Sequence, residues 1–243
     1  MAKAKTKTTG SERFEGFRDQ EGKFFKALAK NQKKEWFDAH KADFEEGWAD
    51  PMLRLMTELR ERIDGAYPDL ELAPPKRFRI YRDVRFSKDK SPYKTHVAGV
   101  IGVETGRSTM AGPAALYFHV GESEYGGGSG PFGGAGVWMT DPPALVKLRA
   151  AIVDEERGSE LAKMLKSLEK KGYTKDAHQV LAKVPRGFDP DHPRAELLKL
   201  KGLTVSFPKA PTALLTSRKL VDHLAAQGKA VAPLVRWLTF ATL

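Results

Sequence analysis

Between Lys76 and His96 the chain reads KRFRIYRDVRFSKDKSPYKTH, and its side chains alternate in character. In an extended strand successive side chains point to opposite faces. Phe78, Ile80, Val84 and Phe86 therefore fall on one side, and Arg77, Arg79, Tyr81, Asp83 and Arg85 on the other. One face can enter a core while the other presents a row of guanidinium groups around a single carboxylate. Arg82 interrupts the apolar side, which is where a buried ion pair is expected. Eight Lys or Arg against two Asp give this stretch +6 of the chain's formal +10.

The 243 residues suffice for one large domain or two small ones, either with a real core. The reading is a basic disordered tail over residues 1–13 and a single domain over 14–243. With 41% hydrophobic and 30% charged residues the composition is that of a soluble globular protein, and no apolar run is long enough to span a membrane. The start, MAKAKTKTTG, lacks the apolar stretch of a signal peptide. The absence of cysteine excludes disulfides, thiolate metal sites and cysteine nucleophiles, and fits a cytoplasmic protein. A pI near 9.6 favours polyanionic or phosphorylated partners.

Helical periodicity runs from Phe14 to Ile63. Phe24, Phe25, Leu28 and Ala29 form one stripe, stopped at Asn31; Trp36, Phe37, His40, Phe44 and Trp48 form a second. These aromatics read as core. Asp50-Pro51 reads as an N-cap and first helical turn, opening a helix with Met52, Leu55, Met56, Leu59 and Ile63 inward. Strands follow at 77–87, 93–103 and 114–120, the last with Leu116, Phe118 and Val120 opposite Ala115, Tyr117 and His119. The seven glycines between Tyr125 and Met139 indicate either a mobile loop or a place where backbones or a ligand approach closely, with a fourth strand at 135–139. Asp141-Pro142-Pro143 opens a helix, a further helix spans 159–170, and Asp191 or His192 caps a short one beginning at Pro193. A short strand at 203–207 and a closing helix over 216–238, interrupted near Pro233, complete the chain. Short polar turns between strands suggest an antiparallel meander. The fold class is α+β, with an antiparallel sheet of about 4–5 strands packed with N- and C-terminal helices.

Four stretches, NQKKEWFDAHK, YRDVRFSKDKSPYKTH, GGGSGPFGGAGVW and PRGFDPDHPRAELLKLKG, resemble the family called domain of unknown function 2461. The likeness covers the chain from about Phe14 onward. Gln32 stands where that family usually has a second Asn, and the glycine segment is longer than usual. The resemblance implies one unit over this length and brings no activity with it.

The leading candidate site combines Arg79, Arg82, Asp83, Arg85, Lys88, Lys90, Tyr93, Lys94 and His96 around the first hairpin. Arg79 and Arg85 would grip an oxyanion bidentately, with Lys88 or Lys94 as added point charges. The implied partner is a phosphate-containing or carboxylate small molecule. The structural alternative is an Arg/Asp network that only pins the hairpin. The runner-up function is nucleic-acid association through the same basic face, for which only Tyr81 and Tyr93 offer interleaved aromatics. Should the protein be an enzyme, Asp83 and His96 are the candidate proton-transfer groups. Arg186, in PRGFD beside Gly187, marks a second anion candidate. The six histidines show no metal-ligand spacing, and no P-loop, nucleophile elbow or dinucleotide fingerprint occurs, so no metal and no cofactor are expected; His96, His119 and Asp83 are the set that would make a site across the fold. The oligomeric state is not legible.

Overall fold

The computed structural model describes residues 13–85, 89–106, 112–123 and 128–243. The expected tail, Phe86 and Lys88 of the first hairpin, and Gly126 and Gly127 of the glycine stretch lie outside the described residues, apart from Arg13.

The aromatic stripes at the start of the chain bury one another. Helices α1 (Lys23–Lys30) and α2 (Lys34–Ala39) lead into α3 (Lys41–Phe44), a π-helical turn (Glu45–Ala49) and α4 (Asp50–Ile63). Trp48, fully buried, stacks on Phe17 with centroids 5.5 Å apart and meets the edge of Phe25 at 4.9 Å. Asp50 is not the N-cap expected of Asp50-Pro51 but the first residue of a helix already under way. Asp50 has helical dihedrals (φ −66°, ψ −45°), and the helix runs straight through it. Pro51 brings no N–H to the Gly47 carbonyl four residues back, and that oxygen accepts the Arg18 amide from outside the helix (3.1 Å). A π-turn at this point lets the proline ride inside a continuous helix.

One antiparallel sheet holds six strands in the order β1-β2-β3-β4-β6-β5: β1 (Lys76–Arg77), β2 (His96–Gly102), β3 (Pro113–Ser123), β4 (Gly128–Val137), β5 (Thr174–Asp176) and β6 (Leu203–Ser206). The count is one above the expected range, because β5 is three exposed residues without apolar alternation. Much of the glycine stretch is strand β4 itself, longer than the expected 135–139. It is a place of close approach: a Cβ on Gly133 would sit 2.6 Å from the Phe207 ring, and one on Gly136 (φ +118°) would sit 2.3 Å from the Leu203 carbonyl oxygen.

The first hairpin forms, but its ladder is broken. The Phe78 amide donates to the Ala98 carbonyl (2.9 Å) and the Lys94 amide to that of Ile80 (2.7 Å). Two steps along the first chain thus face four along the second, so regular β1 stops at Arg77 and pairing resumes only at Tyr81 and Tyr93.

Helices cover one face of the sheet. α4 and α8 (Lys219–Ala230) pack side by side, and α4 lies on β2. α5 (Pro142–Val153) is capped by Asp141, whose Oδ1 accepts the Ala144 amide at 2.9 Å, and α6 (Glu155–Lys170) by Asp154. The expected cap before Pro193 is corrected: the short α7 (Ala195–Leu198) begins two residues later without a side-chain cap. α9 (Ala232–Thr242) is buried nearly all round, since it lies between strands β3 and β4 on one side and α5 and α6 on the other. Among the described residues no helix is long and apolar enough to cross a membrane.

Candidate functional site

The basic stretch folds so that most of its arginines are matched to carboxylates. Arg85 donates through Nε and Nη2 to both oxygens of Asp83, at 2.9 and 2.7 Å. Residues two apart in an extended chain share a face, which is what brings this pair together. These hydrogen bonds from Arg85 hold the Asp83 carboxyl down to about 2. Arg82, on the otherwise apolar side, pairs with Asp89 at 3.3 Å, but the pair is not the buried one expected there, because Asp89 is exposed. Arg77 approaches Glu45 of the π-turn at 3.7 Å and lies 5.8 Å from the Phe44 ring centroid. Lys90 donates to the Val84 carbonyl at 2.9 Å.

Arg79 and Lys94 differ from these. Among the described residues no carboxylate lies within ion-pair distance of either. Lys94 is partly buried, and its ammonium lies 5.5 Å from the centroid of the Phe78 ring. Burial first, then the charges of Arg79 and Arg82, lower its pKa. An ammonium held among cations in a partly dry place is disfavoured in its charged form, and a nearby anion would remove that penalty.

The cations border an aromatic and imidazole surface on the sheet face turned away from α4. Phe78 meets the edge of Tyr117 at 6.1 Å; the Tyr117 hydroxyl is 3.2 Å from His119 Nδ1; His119 stacks on Phe132 at 5.1 Å and faces His96 at 5.3 Å. His119 is fully buried, and among the described residues its Nε2 has no hydrogen-bond partner. Burial, helped by the neighbouring His96, pushes its pKa down to about 3, so it is neutral in the folded protein at ordinary pH. His96 Nδ1 lies 3.1 Å from the Glu122 carbonyl oxygen. Sequence alternation placed Tyr117 and His119 on one face of β3, but their proximity to Phe78 and Lys94 needs the β1–β2–β3 register.

Tyr93 belongs to the hairpin's support: it is buried, stacks on Phe37 at 4.5 Å, and its amide donates to Gln32 Oε1 at 3.0 Å. The Gln32 side chain thus ties the helical region to the hairpin. Tyr81, half exposed, leans on both Phe37 and Tyr93. Asp83 is engaged by Arg85 and is not brought beside the two histidines, and among the described residues no cluster of three or more His, Asp or Glu suits a metal ion. Arg186 is exposed in a connector that follows β5, whose flanks pair with the segment leading into β6. It belongs to the opposite end of the strand order from β1.

The fold and site define an α+β protein whose antiparallel sheet carries a cation-bordered aromatic face at one end. A family profile described as "Conserved hypothetical protein (DUF2461)" matches residues 21–237, and the chain belongs to that family. Neither a comparison with curated proteins nor one with solved structures found a match.

Proposed function

We propose that this protein binds an anionic small molecule, phosphorylated or carboxylated, at the Arg79–Lys94 edge of the sheet. One observation carries the reading: a partly buried ammonium sits among guanidinium groups, and among the described residues no carboxylate lies within ion-pair distance of it. Of the two arginines expected to grip the anion, Arg85 is turned onto Asp83, which leaves Arg79 as the fork and Lys94 as the point charge. Phe78 and Tyr117 would accept the flat or apolar part of such a ligand. Asp83, acidified by Arg85, is a poor base near neutrality and fits the role of an arginine anchor. The binding reading assigns no reaction.

A thermal-shift screen against phosphate, sugar phosphates, nucleotides, dicarboxylates and a short oligonucleotide, at two salt concentrations, tests it. A ligand that binds only the folded state raises Tm by mass action. A shift from a small anion, lost in Lys94→Met, supports the reading. A shift from the oligonucleotide alone, collapsing at the higher salt, would replace it with a nucleic-acid surface.

A further inference from the structure

On the helix side of the sheet, away from the hairpin cations, a cavity of about 190 Å³ lies between β4, the segment after β6 and α8. Phe118, Phe207 and Leu224 make apolar walls, and Lys209 and His223 are its cationic and imidazole members. Phe207 is seated there by Gly133, where any side chain would displace the ring. The size decides what fits. An apolar protein cavity of ~150 Å³ is enough to hold benzene, whereas drug-sized ligands need roughly 300 Å³ or more.

The polar lining is incomplete in a particular way. Among the described residues His223 Nε2 is buried without a hydrogen-bond partner, and no carboxylate pairs with Lys209. Burial lowers the His223 pKa and so favours the neutral ring, whose Nε2 is a donor in the tautomer that carries its proton there. Leaving such a group unpaired is costly, and an acceptor from a ligand would satisfy it. An ammonium and an imidazole donor beside a ring-sized apolar pocket match one class of ligand: a single ring or short branched chain bearing one carboxylate. We infer that this cavity is a binding site for a small aromatic monocarboxylate, with Lys209 and His223 on the carboxylate and Phe118, Phe207 and Leu224 on the ring.

The test uses the purified full chain, with benzoate as the probe and benzamide as its uncharged counterpart, followed by Tm and by calorimetric titration. Benzoate is expected to raise Tm and to bind at least tenfold more tightly than benzamide. Lys209→Gln, an exposed change, should erase that preference, and His223→Leu should weaken benzoate tenfold or more. Any benzoate equivalent lost in Lys94→Met belongs to the hairpin site, whereas the equivalent lost in Lys209→Gln and His223→Leu belongs to this cavity. No saturable benzoate binding by the wild type, equal binding by the wild type and Lys209→Gln, or loss of binding only in Lys94→Met would each overturn the inference.

Discussion

Arg194 lies buried across Gly158, its Nε donating at 2.7 Å to the Ile152 carbonyl at the end of α5. Its Nη2 reaches the Val153 and Asp154 carbonyls at 3.3 and 3.2 Å and Glu155 Oε2 at 3.0 Å. One guanidinium therefore satisfies the last carbonyls of α5 where the chain turns into α6, a place with no glycine cap. Arg194→Met should lower stability by about 2–4 kcal/mol, since it strands buried acceptors. Gly158→Ala should do comparable damage, because its Cβ would lie 2.2 Å from the Ile152 oxygen and 2.5 Å from Arg194 Nε. Urea unfolding of both variants checks this; near-wild-type midpoints would refute it.

The Lys94 substitution separates a ligand site from scaffolding. Its pKa is lowered on folding, so the folded state disfavours the charged form and stability on its account rises with pH. Lys94→Met keeps the packed stem and drops the charge. It should raise Tm in anion-free buffer and abolish any anion-induced shift. A lower Tm in that buffer would mean the ammonium helps hold the hairpin.

His119 sets an acid limit. Its folded pKa, about 3, lies below its ordinary value of 6.5, so the neutral ring's contribution is complete above 6.5 and is lost as pH falls below it. The slope from this one proton is at most about 1.4 kcal/mol per pH unit. His119→Phe, which keeps an aromatic ring against Phe132, should flatten the stability profile between pH 6.5 and 4. An unchanged profile would place the acid sensitivity elsewhere.

The Asp83–Arg85 pair can be read directly. With the carboxyl depressed from 3.8 to about 2, its stabilising pairing is intact above 3.8 and is lost as pH falls toward 2. Carbon-detected NMR titration should give a midpoint near 2 for Asp83 and return it toward 3.8 in Arg85→Gln. Because the pair is exposed, neither change should move Tm much at neutral pH.

The residues that alternate were the legible ones. Ile80 inward with Arg79 and Arg85 outward, and the shared face of Tyr117 and His119, follow from period two. Three features did not follow. Strand β5 has no apolar pattern because its side chains face solvent. Asp50-Pro51 imitates a helix start, but the π-turn and the Arg18 amide accommodate the proline inside a helix. Arg194 carries no signal of its role in PDHPRAELL, because its partners are some forty residues away. The division of the basic stretch into matched and unmatched cations was equally hidden, since Asp89 and Glu45 become partners only through the turn and the π-helix.

Calorimetric titration of the strongest small-anion hit into wild type and Lys94→Met tests anion binding at Arg79 and Lys94 most directly. The expected result is saturable binding by the wild type, weakened at least tenfold, or about 1.4 kcal/mol, in Lys94→Met, with Arg79→Gln showing a loss in the same direction. Equal affinity in wild type and Lys94→Met, or no saturable heat from any small anion, would contradict it.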